Sequence, residues 1–454
     1  MKLIQSLAVL LVTIFAIAWA APAWAFCGFY VAKADSSLYN KASQVVIARN
    51  GDRTILTMAN DYQGSIKDFA VVIPVPVVLK KEQVHVSDPK IVERLDAFSA
   101  PRLVEYFDPN PCDFSVQRQL GSDAAPAALK MAEDSIRSRS LGVTVEAQFS
   151  VGEYDIVILS AKESNGLATW LRTNGYKIPK GASPLLQPYI RQGMKFFVAK
   201  VNLANFQKSG FQYLRPLQIA YASPRFMLPI RLGMINANGV QDLLVYVLSP
   251  KGQAEVTNYR TVKVPSDAEI PVFVKQEFGD FYKAMFQTAY GREGRNATFL
   301  EYAWDMSNCD PCSAEPLNPE ELRKAGVFWL DAPEHSIAPS LSRPPLPGPQ
   351  GVFITRLHVR YTRDKFPEDL MFQETANRDS FQGRYVLRHA YSGEMNCSAG
   401  RQYQRSLPKR LEAEVQALAK LTNWNIQDIR KKAKVPEDSL SNSVDRFWRS
   451  IWPQ

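Results

Sequence analysis

Five cysteines are spread over 454 residues, and two of them fall together in Asn308-Cys309-Asp310-Pro311-Cys312, behind the strand-like run Phe299 to Trp304. Two thiols at that spacing can do redox chemistry, hold zinc or close a local bridge. A proline just before the second cysteine is the arrangement of thioredoxin-like sites, which need the first cysteine at a helix N-terminus where N–H groups stabilise thiolate. Here Asp310 sets negative charge between the sulfurs, and the residues beyond Cys312 run to Pro316 and Pro319 with no βαβ pattern. Zinc requires two further ligands, and His85, His335, His358 and His389 lack the close histidine spacing that supplies them. Glu301, Asp305, Asp310 and Glu315 match no calcium loop and read as a solvated face. A structural clip is the plainer reading of Cys309 and Cys312, and no metal or cofactor is expected.

Linear enzyme signatures are missing: the chain has no G-x-S-x-G, H-E-x-x-H, G-x-x-x-x-G-K-S/T or G-x-G-x-x-G. His389 and Cys397 form a conceivable base and nucleophile, but no local signature joins them. Charge is more informative. The chain carries a formal net charge of +9, and Arg401, Arg405, Lys409, Arg410, Lys420, Arg430, Lys431, Lys432 and Lys434 face only Glu412, Glu414 and Asp428 in their stretch. Arg401, Arg405, Lys409, Arg410, Arg430, Lys431, Lys432 and Lys434 are the candidate contacts for an anionic surface. The plainer alternative is a set of helices packed on the body with their cations in water.

The start of the chain sets the compartment. Lys2, the apolar run Leu7 to Ala20 and Ala23-Trp24-Ala25 are the three parts of an export signal, with cleavage expected between Ala25 and Phe26. An uncleaved anchor from Ile4 to Trp24 is the alternative. Phe26 occupies the place where a small residue would precede a lipidated Cys27. No later run is apolar enough to span a membrane, so the mature chain is expected to be soluble, periplasmic or extracellular, away from nucleic acid. Anionic lipid, lipopolysaccharide and cell-wall polymer are then the partners a basic protein would meet. Export also exposes the thiols to oxidation. The pairing expected first is Cys27–Cys112 with Cys309–Cys312, although the sequence does not select among connectivities.

The elements that must position these groups alternate irregularly. Gln44 to Ala48 and Thr54 to Met58 flank Asn50-Gly51 as a hairpin. Phe69 to Val78 is a strand whose Pro74 and Pro76 place its second half at an edge or bulge. Asp88-Pro89 opens a helix with Ile91, Leu95 and Phe98 on one face. A helix around Pro126 to Ser138 and strands at Val143 to Phe149 and Glu153 to Ser160 follow. Then come a helix over Leu167 to Thr173 capped by Ser164, and another opened by Ser183-Pro184. Strands are expected at Lys195 to Leu203, Leu217 to Tyr221, Phe226 to Met234, Leu243 to Leu248 and Val256 to Val264, then one helix from Val272 to Tyr290. The fold class is therefore α+β, a body of mostly antiparallel strands with interspersed helices and a helical C-terminal extension. The divisions are a signal peptide at 1–25, a main body at 26–331, and a proline-rich loop at 332–350. Strands completing the body follow at 351–400, and a basic helical region at 401–454. In that last region Leu411, Val415 and Leu418 line one helix, and Leu440, Val444, Phe447, Trp448 and Ile451 another.

Several of these stretches resemble the bacterial domain-of-unknown-function family 2330. They are Phe26 to Tyr30, the hairpin to Asn60-Asp61, Phe69 to Pro76, Ser99 to Cys112, Gly152 to Ser164, Trp304 to Cys312 and Leu357 to Gln373. The resemblance implies an exported bacterial protein from a family with no established activity, and it assigns no catalytic residue. A non-catalytic envelope protein that binds or scaffolds is the expected function. The rival is an envelope enzyme, thiol–disulfide or hydrolytic, without a linear signature.

Overall fold

The hairpin read from Asn50-Gly51 forms with its turn displaced by one residue. Tyr39–Asn50 and Arg53–Gln63 pair antiparallel, and Asn50 faces Arg53, so Gly51 and Asp52 make the loop. Gly51 alone takes a positive φ, 59°, as in the two-residue turn with glycine first. The computed structural model describes residues 29–32, 39–63, 69–113, 143–174, 181–210, 214–235, 239–308, 310, 313–331 and 351–435. The leader, Cys27, Cys309, Cys312, the helix expected around Pro126 to Ser138, the 332–350 loop and the run Leu440 to Ile451 lie outside the described residues.

The hairpin sits inside a nine-stranded sheet. Its order is Arg260–Lys263, Ala297–Asp305, Phe353–Tyr361, Gln241–Ser249, Tyr39–Asn50, Arg53–Gln63, Leu217–Ala222 and Val84–Val86, with Phe381–Gln382 paired to Ala297–Asp305 off this path. Two pairings are parallel, Gln241–Ser249 with Tyr39–Asn50 and Arg260–Lys263 with Ala297–Asp305; the rest are antiparallel. A second, antiparallel sheet runs Phe29–Ala32, Phe69–Val75, Lys195–Val201, Tyr154–Ser160, Thr144–Val151. Phe29–Ala32 covers only Phe69 to Val72 of its neighbour. Among the described residues Pro74 therefore has a paired neighbour on one side only, the edge-like setting in which a residue without an N–H is tolerated.

Residue alternation sets the layers. Val45, Ile47, Leu243, Val245, Leu357 and Val359 of the larger sheet meet Val71, Ile73, Ile156, Ile158, Phe197 and Ala199 of the smaller in one core. The outer face of the smaller sheet, with Val72, Leu159, Phe196 and Val198, carries the helices Ser164–Thr173 and Ala182–Arg191. On the outer face of the larger sheet, Val46, Tyr246, Tyr302 and Ile354 pack under Pro89–Ser99 and Pro319–Lys324. Beside them Phe299 packs with Phe281, Met285 and Phe286 of the helix Phe278–Arg292, and with the C-terminal helices. The result is helix, sheet, sheet, helix, an α+β architecture. The strand after the proline-rich loop, Phe353–Tyr361, lies near the centre of the larger sheet and is buried on both faces.

Some expected elements change form. In place of a strand from Phe226 to Met234 there is a two-residue bridge, Met227–Leu228, followed by the 3-10 turn Arg231–Ile235. Asp369 organises it by accepting from the N–H groups of Ile230 and Arg231 and from the Arg231 guanidinium, so the local polar anchor overrides the apolar run. Val256 to Val264 divides into Ala254–Val256 and Arg260–Lys263. The helix from Val272 divides into the 3-10 stretch Val272–Glu277 and Phe278–Arg292. Ser164 lies within the first turn, and Glu163 is the cap position.

Candidate functional site

Two strands far apart in sequence create the site. Arg102–Phe107 and Arg384–His389 pair in parallel, with Ala268–Glu269 on the far side of the latter. Because the pair is parallel, both chains leave at the same end, where the Asp108 N–H donates to the His389 carbonyl. Past that end Cys112 and Cys397 meet in a disulfide, with Cα atoms 5.9 Å apart and 285 residues between them in sequence. The expected Cys27–Cys112 bridge is thereby overturned: the long-range strand pairing, which no local spacing announces, brings Cys397 to Cys112. The bridge also removes the conceivable His389–Cys397 pair. His389 is instead 2.8 Å from Glu105 and stacks on the exposed Phe107 ring.

Cys397 is also the N-cap of the helix Ser398–Thr422, its sulfur accepting from the Gly400 N–H. This helix buries Val415 and Leu418 against Phe278–Arg292, and the following helix Ile426–Ala433 buries Ile429. Asp108 fixes its middle by accepting from the Tyr403 hydroxyl at 2.6 Å and from Arg410. Burial pushes the Asp108 carboxyl up, but the Tyr403 and Arg410 hydrogen bonds outweigh it and hold the group below the usual range. One turn further on, Glu414 is 2% exposed. Neither of its oxygens has a hydrogen-bond partner among the described residues, and the Arg410 Nε stands 3.5 Å away. Burial drives this carboxyl up to about 7; Arg410 opposes the rise and Glu269 adds to it.

The candidate cations divide into two groups. Arg410 pairs with Asp108, Arg430 with Glu412 and Lys432 with Glu277. Arg401, Arg405, Lys409, Lys431 and Lys434 are exposed, as is Lys420, and among the described residues no carboxylate pairs with them. Positions 409 and 420 lie at helical spacing opposite the buried 415, 418 and 422, and 405 lies to their side. Between the helices and Pro271-Val272-Phe273 lies a cleft of 320 Å³, lined also by Arg388, His389, Leu407 and Arg410. Its cations are matched by Glu105, Asp108, Glu269 and Glu277. Among the described residues no serine, threonine or cysteine lines it.

Sequence reasoning missed a buried ion ladder on the outer face of the larger sheet. Arg356, His358 and Arg360 alternate with Leu357 and Val359, pointing into the seam between Pro89–Ser99 and Phe278–Arg292. Arg356 joins Asp96 at 2.7 Å and Glu301 at 2.6 Å; His358 joins Glu301 at 2.8 Å and Asp242 at 3.1 Å; Arg360 joins Asp242 at 2.7 Å. Phe286 stacks on His358 at 3.8 Å, and the Tyr282 hydroxyl donates to Glu301. Glu301, read as part of a solvated face, is 1% exposed. It follows Phe299 onto this face at the ordinary two-residue spacing, and the β-bulge between Leu300 and Tyr302 puts Tyr302 on the same face. Burial alone raises both carboxyls, but Arg356 and His358 bring Glu301 to about 2, and His358 and Arg360 bring Asp242 to about 2. Burial lowers the His358 imidazole, and Glu301 and Asp242 overcome it, so the ring is held protonated above its ordinary value.

The Cys309-Asp310-Pro311-Cys312 stretch follows a strand end, Ala297–Asp305, and the Asp310 carboxylate is occupied by the Tyr302 hydroxyl and Gln382. Among the described residues no three histidine, cysteine or acidic side chains are arranged to hold a metal, and no helix is long and apolar enough to cross a membrane.

Fold and site together define a layered α+β body with a disulfide-stapled, basic helical appendage. Residues 21–373 match the family model described as an uncharacterized protein conserved in bacteria, domain of unknown function 2330, and the chain belongs to that family. Its match ends before Cys397, so the appendage lies beyond the matched residues. No curated protein and no solved structure matches the chain.

Proposed function

We propose that this is an exported, non-catalytic envelope protein that attaches to an anionic surface through the outer side of its C-terminal helices. One observation carries the reading: Arg401, Arg405, Lys409, Lys420, Lys431 and Lys434 stay exposed without carboxylate partners among the described residues, while the neighbouring Arg410, Arg430 and Lys432 are engaged internally. Arg401 sits in the first helical turn, where the dipole disfavours a cation, so helix stability does not account for it. The three-part N-terminal pattern supports export. Anionic headgroups, lipopolysaccharide and cell-wall polymer share the phosphate or carboxylate chemistry these cations recognise.

The full chain should sediment with vesicles containing anionic phospholipid, and binding should fall steeply as salt rises. Each cation near such a surface contributes about 1 kcal/mol. Combining Arg405→Glu, Lys409→Glu, Lys431→Glu and Lys434→Glu should therefore weaken binding by at least ~100-fold with the circular dichroism unchanged. Lipopolysaccharide micelles and purified cell wall, assayed in parallel, identify the surface. Salt-independent binding, or a quadruple variant that binds every one of these surfaces as the parent does, would overturn the proposal.

A further inference from the structure

The helix carrying those cations is held at two points that differ in kind. Its N-terminus is stapled by Cys112–Cys397. Its middle rests on Asp108 and on Glu414, a carboxyl 2% exposed with no hydrogen-bond donor among the described residues. The groups facing Glu414 are Arg410 from its own helix, Glu269 from Ala268–Glu269, Arg388 from Arg384–His389 and Asp108 from beyond Arg102–Phe107. Arg388 is already paired to Glu269 at 2.7 Å, and Arg410 to Asp108. The helix Phe278–Arg292 contributes apolar Phe281, Met285 and Ala289 to the same cluster. An ionised Glu414 would thus be a third carboxylate beside two guanidiniums that are both engaged, at a position 2% exposed to solvent. Between staple and carboxyl lies Pro408, which cannot donate to the Gln404 carbonyl and leaves the helix weakest there.

We infer that Glu414 is a proton-operated latch: protonated, it lets the C-terminal helix dock, and its ionisation loosens the helix beyond Pro408 while the disulfide retains the stapled end. The device concerns docking alone and stands whether or not the outer face binds a surface.

Amide hydrogen exchange of residues 409–422 in the oxidised full chain, corrected for the intrinsic pH dependence of exchange, reads it directly. With a carboxyl near 7 when docked and 4.5 when exposed, the opening equilibrium should rise roughly 30-fold between about pH 5.5 and pH 8.5. Glu414→Gln should abolish that rise and keep the helix protected at the alkaline end. A flat response in the parent chain overturns the latch. A response unchanged in Glu414→Gln assigns the titration to another group and overturns it equally. Should Glu414→Gln fail to dock, Glu269→Gln decides: removing that anion and freeing Arg388 must move the midpoint to lower pH, and an unmoved midpoint overturns the latch.

Discussion

His358 lies between two carboxylates, with Glu301 on one ring nitrogen and Asp242 on the other. Removing the imidazole leaves those two buried anions to the arginines alone. His358→Ala should therefore cost about 3–5 kcal/mol, the usual effect of breaking a buried pair, read from urea unfolding. Its pH dependence has two arms. The histidine is raised, so its contribution is complete below its ordinary value of 6.5 and disappears as pH climbs through the folded value. The carboxyls are depressed, so theirs is complete above their ordinary 3.8 and 4.5 and disappears as pH falls toward 2. Parent stability should decline in both directions, and His358→Ala should flatten the alkaline arm. Part of this ladder was legible: Arg356, His358 and Arg360 at every second position of a strand must share a face. Glu301 was not, because its partners Arg356 and His358 reach it only through the pairing of strands distant in sequence.

Individual elements follow local rules closely. Asp88 caps its helix and accepts from the Lys90 N–H, and the strand Phe69–Val75, with Pro74 near its end, is flanked past Val72 on one side only among the described residues. Where tertiary anchors intervene, as Asp369 does after Leu228, local patterning fails. Pairing between distant strands was illegible, and with it the disulfide partner of Cys112. Two outcomes follow for the stapled helix. Unreduced protein should show Cys112 and Cys397 unreactive toward alkylation, with an odd number of the remaining thiols labelled. After reduction, Cys397 should alkylate faster than Cys112 near neutral pH, because its sulfur receives the Gly400 N–H at a helix N-terminus. Equal rates would mean that the cap does not hold once the bridge opens. Cys112→Ser should shift helix amides toward faster exchange, by at most about 3–5 kcal/mol in opening free energy, the span expected for a long loop.

At the scale of the molecule, the larger sheet is assembled from chain segments as far apart as 39–63, 84–86, 217–263, 297–305, 353–361 and 381–382. Phe353–Tyr361 pairs on one side with Gln241–Ser249 and on the other with Ala297–Asp305. A chain ending at Asp331 lacks that strand and should be recovered unfolded, with collapsed near-ultraviolet dichroism. A chain ending at Asn396 keeps every strand and should retain its β signal. If the shorter chain folds, the two halves of the sheet are more independent than their pairing indicates. The same interleaving has a consequence in time. On the proposed export route Cys27 and Cys112 reach the oxidising compartment before Cys397, so the first bridge available is one the finished molecule does not use for Cys112. Oxidation that is too early traps the wrong partner, and recovery then depends on exchange over seconds to hours. Correct closure rewards a slow oxidant, or an isomerase that can undo the first choice.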